Sequence, residues 1–183
     1  MRVIAGTARS IPLLSRDGIE TRPTADRVKE AIFNVVQFEI EGRQVLDLFG
    51  GSGQLAIEAL SRGAAGAVIV DQSKDSVSII KQNLTKTRLT DRARVVCADY
   101  MDYLNRTGER FDLIFLDPPY GEKFLENALK RISEIDILKS GGIIICERPA
   151  EKALSDDYPA FRRIRDYRYG RTGVTLYRAE TSN

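Results

Sequence analysis

The sequence contains no histidine, and that absence removes a large part of enzyme chemistry. Without an imidazole there is no Ser-His-Asp or Cys-His nucleophile system, and most zinc and iron centres lose their usual ligand. Cysteine is nearly absent too. Cys97 and Cys146 lie far apart in apolar runs (RVVCA and GIIICE), which predicts two buried core thiols and neither a disulfide framework nor a zinc site. No apolar run approaches the roughly 20 residues that span a bilayer, and no signal-peptide core opens the chain. A cytoplasmic, soluble protein is expected, with no metal and no membrane partner.

What is present is globular composition. Hydrophobic residues make up 43% and charged residues 30% of 183 positions, the size of one ordinary domain. Net charge is only +2, but residues 158–178 hold six basic groups and one acidic group among Tyr158, Phe161, Tyr167, Tyr169 and Tyr177. That segment reads either as a local anion-contact surface or as a solvated hairpin face.

From residue 44 onward, apolar strand-like runs at 44–49, 67–70, 94–98, 111–116 and 142–146 alternate with helix-like stretches at about 53–62, 73–86, 100–105 and 122–138. Such alternation predicts βαβ units, a parallel sheet and helices on both faces. Segments 161–169 and 174–179, joined by Gly170-Arg-Thr-Gly173, read as an antiparallel hairpin at the sheet edge. The fold class is therefore α/β, a doubly wound Rossmann-like sheet. Residues 1–43 form a small addition to the 44–183 domain. They comprise a hairpin (RVIAG and IPLL), then a helix whose Val28, Ala31, Ile32, Val35 and Val36 fall on one face.

Asp47-Leu-Phe-Gly-Gly-Ser-Gly53 leaves a strand and enters a helix, and Gly51-Ser-Gly53-Gln-Leu-Ala56 fits the dinucleotide fingerprint. Asp71, followed by Gln72, closes the next strand where an acid would hold ribose hydroxyls. The glycines let a ligand approach the backbone. Taken alone, this pattern suits a nicotinamide cofactor as well as S-adenosylmethionine. Asp47 separates the two, because a carboxylate there repels a pyrophosphate and suits an ammonium or sulfonium group. Asp71, Asp99 and Asp117 add acids at three further strand ends, where ligands of open α/β sheets bind.

Asp117-Pro118-Pro119-Tyr120 ends the fourth strand-like run. Consecutive prolines fix the backbone and leave a carbonyl that no local N–H claims. An acid, that carbonyl and an aromatic ring can grip a planar amine.

The motif is similar to the (D/N)PP(Y/F) signature of exocyclic-amine methyltransferases. With Arg22-Pro-Thr-Ala-Asp-Arg-Val-Lys-Glu30 and Glu58-Ala-Leu-Ser-Arg-Gly-Ala64, it makes nearly the whole chain resemble the RsmD family, the bacterial 16S ribosomal RNA guanine-N2 methyltransferases. The sequence departs from that pattern at Gly50, at Asp71 where Glu is more common, and at Ser10 where Gly is frequent. The resemblance implies catalysis around Asp117, Pro118, Pro119 and Tyr120, with Tyr120 as a stacking platform. It also implies S-adenosylmethionine contacts at Asp47, Gly51, Gly53, Asp71, Gln72, Asp99 and Tyr100. Its substrate would be 16S RNA in an assembled or nearly assembled 30S particle, met by a monomer. Arg9, Arg22, Arg27 and Arg171 are the RNA-contact candidates. Adenine-type amine methylation and a non-catalytic ribosome-assembly module are the other readings of the same residues.

Overall fold

The computed structural model describes residues 1–15, 23–121 and 123–181, with the side chains of 23–25 outside the description. Its centre is one eight-stranded sheet. The strands are β1 (Gln44–Asp47), β2 (Gly66–Asp71), β3 (Ala93–Cys97), β4 (Phe111–Leu116), β5 (Leu138–Pro149), β6 (Asp157–Tyr158), β7 (Phe161–Tyr169) and β8 (Thr172–Ala179), in spatial order β3-β2-β1-β4-β5-β8-β7-β6. The first five in that order are parallel, and the β5–β8, β8–β7 and β7–β6 pairs are antiparallel. Strand order reverses between β1 and β4, which opens a crevice at their carboxyl ends.

Period-2 alternation sorts the strand side chains onto two cores. Val45, Ile69, Leu113, Phe115, Ile143 and Ile145 face helices α1 (Pro23–Val35), α2 (Gln54–Ser61) and α3 (Lys74–Thr87). Leu46, Val68, Ile114, Leu116, Ile144 and Cys146 face α4 (Tyr100–Arg106) and α5 (Phe124–Glu134). Burial on both faces is what parallel strands with near-continuous apolar runs require.

Several boundaries differ from the sequence expectation. The first strand stops at Asp47 because the glycine turn begins at once, and the helix expected over 122–138 spans 124–134 because Leu138 already pairs with Phe111. Cys97 is exposed, not buried. It ends β3, the outermost parallel strand, which has no strand beyond it among the described residues. The N-terminal hairpin is reduced to one antiparallel bridge, Arg2 with Pro12, and to turn-like hydrogen bonds such as Val3 N–H to Ile11 O at 3.0 Å.

That excursion is held to α2, not by strand pairing. Buried Glu58 accepts the N–H of Ile4 at 2.8 Å and of Ala5 at 3.0 Å. Ser61 accepts Thr7 N–H at its carbonyl and donates its hydroxyl to Ala5 O at 2.6 Å. A Cβ on Gly6 would lie 1.8 Å from Ser61 O, so only glycine permits this approach. Lys29 on α1 donates to Arg2 O at 2.6 Å and sits 3.7 Å from Glu58. Burial, only partly offset by Glu58, lowers its pKa.

The C-terminal hairpin rings are structural. Tyr158, Phe161 and Tyr177 pack on one another in the second core, with centroids 5.0–5.6 Å apart. Tyr167 and Tyr169 pack against the first core.

Candidate active site

A cavity of about 450 Å³ opens at the β1/β4 crevice. Gly51, Asp71, Gln72, Asp99, Tyr100, Asp117, Pro118 and Pro119 all line it, so residues from four strand ends meet as the sequence predicts. The lining also includes Phe49, Ser73, Ser76 and Phe124, which sequence reasoning missed. Phe49 and Tyr100 lie 5.1 Å apart between centroids, and Phe124 stands edge-on to Tyr100 at 5.6 Å. This aromatic wall suits a planar heterocycle. Phe124 opens a helix with no motif around it, and nothing in the sequence marked it.

The glycine turn works differently from expectation. Gly51 (φ +58°) and Gly53 (φ +79°) both need the left-handed region. A Cβ on Gly51 meets no protein atom within 4 Å, so the turn's conformation and the room on the cavity side make glycine necessary, not protein crowding. Gly53 is absent from the cavity wall. It caps α2, and a Cβ there would stand 3.3 Å from Ile57 and Ile80. Asp71 holds the turn through Gly51 N–H at 2.8 Å and Ser73 N–H at 2.8 Å. Asp99 caps α4, taking Met101 N–H at 2.8 Å on one oxygen. Asn83, fully buried, ties Ser52 O (2.9 Å) to both backbone groups of Leu14. The N-terminal excursion therefore braces the turn from behind.

Asp47 also lies behind the wall. It is 1% exposed, and its Oδ1 has no hydrogen-bond partner among the described residues. Burial, reinforced by the charge of Asp117, pushes its pKa up to about 7, against the backbone N–H groups of Phe49 and Ala56. Burial likewise pushes Asp117 up to about 6. Pro118 is buried, while Tyr120 is 60% exposed, outside the cavity on the far side of the two prolines. Its hydroxyl lies 3.5 Å from Glu147, a β5 carboxylate that sequence reasoning also missed. The alternation Ile143, Ile145, Glu147 along β5 could have placed it.

A cationic, hydroxyl-bearing ligand with an aromatic base fits this wall. It would find acids for the charge, Asp71 for hydroxyls and rings for the base. The four arginines are less gathered. Arg9 and Arg27 are exposed and line one surface pocket with Asp26 and Glu30, Arg171 is exposed in the β7–β8 turn, and Arg22 lies outside the described residues.

The family model described as conserved hypothetical protein 95 matches residues 1–178. The ribosomal RNA small subunit methyltransferase D of Escherichia coli is 33% identical over 180 residues, 98% of this chain and 90% of the relative. The chain belongs to the ribosomal RNA small subunit methyltransferase D family. The methyltransferase D of Haemophilus influenzae is 35% identical over 84% of this chain and 81% of its own. The solved structure of the Escherichia coli yhhF protein superposes with a TM-score of 0.88 at 30% identity, covering 100% of this chain and 99% of that one. Membership carries the methyltransferase fold that the alternating runs and the edge hairpin predict.

Proposed function

We propose that this chain transfers a methyl group from S-adenosylmethionine to the exocyclic N2 of a guanine in 16S ribosomal RNA of the bacterial small subunit, in the cytoplasm. The observation that carries the reading is the position of Asp117-Pro118-Pro119-Tyr120. It sits where β4 ends, with the acid and both prolines on the cavity wall and the ring just outside it. The cofactor side and the base side then meet at one turn. Residues 1–43 would form an RNA-facing addition, with Arg9, Arg22 and Arg27 there and Arg171 on the C-terminal hairpin as phosphate contacts.

Asp71 would hold the ribose, the Phe49–Tyr100–Phe124 wall the adenine, and Asp117 the charged end, with the charge of Asp47 acting from behind the wall. When bound, S-adenosylmethionine supplies an electrophilic methyl group on a sulfonium centre. Asp117 would accept one N2–H of the base. The Pro118 carbonyl accepts the other. Drawing both hydrogens to one side weakens conjugation of the amine with the ring and turns its lone pair outward. Positioning of this kind supplies most of the acceleration. The amine becomes acidic only as positive charge develops on it, and its surplus proton would pass to the Asp117 carboxylate that already accepts that N–H and from there to water, so no imidazole base is needed. A guanine in a helix hides N2, so the base must be unstacked, and Tyr120 gives it a face to rest on.

The test is transfer of a labelled methyl group by the purified protein to 30S particles, free 16S RNA and DNA, followed by nucleoside mass spectrometry. N2-methylguanosine from 30S particles is expected. Methylated adenine, or methylated DNA alone, would overturn the reading.

A further inference from the structure

The mechanism above leaves one half-buried acid unused. Glu147 lies on β5, one step past the Leu116–Cys146 register pair, directly beside Asp117 at the end of β4. Parallel strands stand about 4.8 Å apart. The alternation that sends Phe115 and Ile145 to the first core sends Asp117 and Glu147 to that same face. On β1, Asp47 follows Val45 in the same way.

Three carboxylates thus share one face of three adjacent strands. Among the described residues none of them has an ion-pair partner, and no group of acids, cysteines and histidines has metal-holding geometry. Buried Asp47 Oδ1 has no donor among the described residues. Burial, and then the charge of Asp117, raise the Glu147 pKa in the ligand-free site, opposed by the hydroxyl of Tyr120, and an N–H donor brought to it favours the ionised form. Unmatched acids in a partly dry site are unfavourable until something supplies N–H groups. The positive charge of the cofactor can offset Asp47 through the wall, and the exocyclic amine serves Asp117. Glu147 has only the long 3.5 Å contact from the Tyr120 hydroxyl among the described residues.

Resting on the guanine-N2 reading, we propose that Glu147 is the residue that selects guanine, by accepting N1–H from the base whose N2 amine is held at Asp117. Guanine places N1–H next to its 2-amino group, so its Watson–Crick edge offers adjacent donors to adjacent acceptors. Adenine presents an unprotonated N1, which repels a carboxylate, and carries its amine on the other side. An enzyme that flips a base reads it along this edge. The Tyr120 ring stands beside this reading group, with its hydroxyl 3.5 Å from Glu147.

The test uses 30S particles reconstituted with 16S RNA bearing either guanine or 2-aminopurine at the position first mapped by mass spectrometry. 2-Aminopurine keeps the reacting amine and replaces N1–H by a lone pair. Wild-type enzyme is expected to favour guanine by about 10–100-fold in kcat/KM, the effect of one hydrogen bond to a charged group. Glu147→Ala and Glu147→Gln are expected to lose activity on guanine and change little on 2-aminopurine, with S-adenosylmethionine affinity near wild type. Equal losses on both bases, or no loss on either, would overturn the assignment and make Glu147 a support for Tyr120. If wild-type enzyme leaves guanine N2 unmethylated, the underlying reading fails instead, before any variant is compared.

Discussion

Gly51 donates its backbone N–H to Asp71 Oδ2 at 2.8 Å, across twenty residues of sequence. The other oxygen of Asp71 takes Ser73 N–H. One side chain at the end of β2 therefore shapes the glycine turn after β1 while facing the cavity itself. Asp71→Asn keeps the size and loses the negative charge, and it is expected to weaken S-adenosylmethionine binding by about 1.5–3 kcal/mol. Calorimetric titration checks this. Unchanged affinity would remove Asp71 from the cofactor site.

Gly6 and Ser10 should respond in opposite directions. Gly6→Ala forces a Cβ into Ser61 O, which should lower stability by several kcal/mol or leave the excursion undocked. Ser10 has φ +68°, a left-handed conformation that strains a residue with a Cβ. Ser10→Gly is expected to raise stability by about 1 kcal/mol. Urea unfolding curves decide both. A destabilised Ser10→Gly would mean that the serine side chain contributes more than the strain removes.

Asp117→Ala should lower methyl transfer by about 10²–10³-fold, as loss of a preorganised electrostatic contact does, with a smaller change in cofactor affinity. Near-normal turnover would end the proposed mechanism. Tyr120→Ala should lose stacking worth about 1–3 kcal/mol. Tyr120→Phe should recover most of it, since the 3.5 Å hydroxyl contact is long. A Phe variant as poor as Ala would assign the role to the hydroxyl.

The ligand-free protein should become less stable as pH rises from about 5 to 8. An acid whose pKa is higher folded than unfolded binds extra protons when folded, so it favours folding at low pH and loses that contribution as pH climbs through the folded value. Asp117 near 6, Asp47 near 7 and Glu147 near 8 all act in this direction. Asp112 and Asp166, whose pKa values are lowered by their hydrogen bonds and nearby cations despite burial, act in the opposite direction but only below the usual carboxylate range. Chemical denaturation at a series of pH values should give a falling curve, flattened in Asp47→Asn. A rising curve over that window would contradict the buried-acid cluster.

Arg9, Arg27 and Arg171 are exposed and make no ion pair among the described residues. Replacing each by Gln should flatten the salt dependence of 30S binding by up to about 0.7–0.9 in the log–log slope. Melting temperature and cofactor affinity should hold. Early unfolding with an unchanged slope would make these side chains structural.

The alternation of apolar runs, the glycine turn and Asp117-Pro-Pro-Tyr120 are local patterns, so sequence by itself determined the sheet class and which strand ends meet at the cavity. A strand's period and a turn's conformational needs are properties of a few neighbouring residues. Asp71 and Asp99 could be placed at the cavity because each closes a recognisable run. Tertiary structure alone decided what depends on distant segments meeting. It made Cys97 an edge residue, and it put Gly53 against Ile57 and Ile80 instead of the ligand. It brought Phe124 to Tyr100, reduced the first hairpin to a segment held by Glu58 and Ser61, and set Glu147 beside Asp117. These follow from strand order and helix packing, which the sum of many weak long-range contacts fixes and no short stretch of sequence encodes.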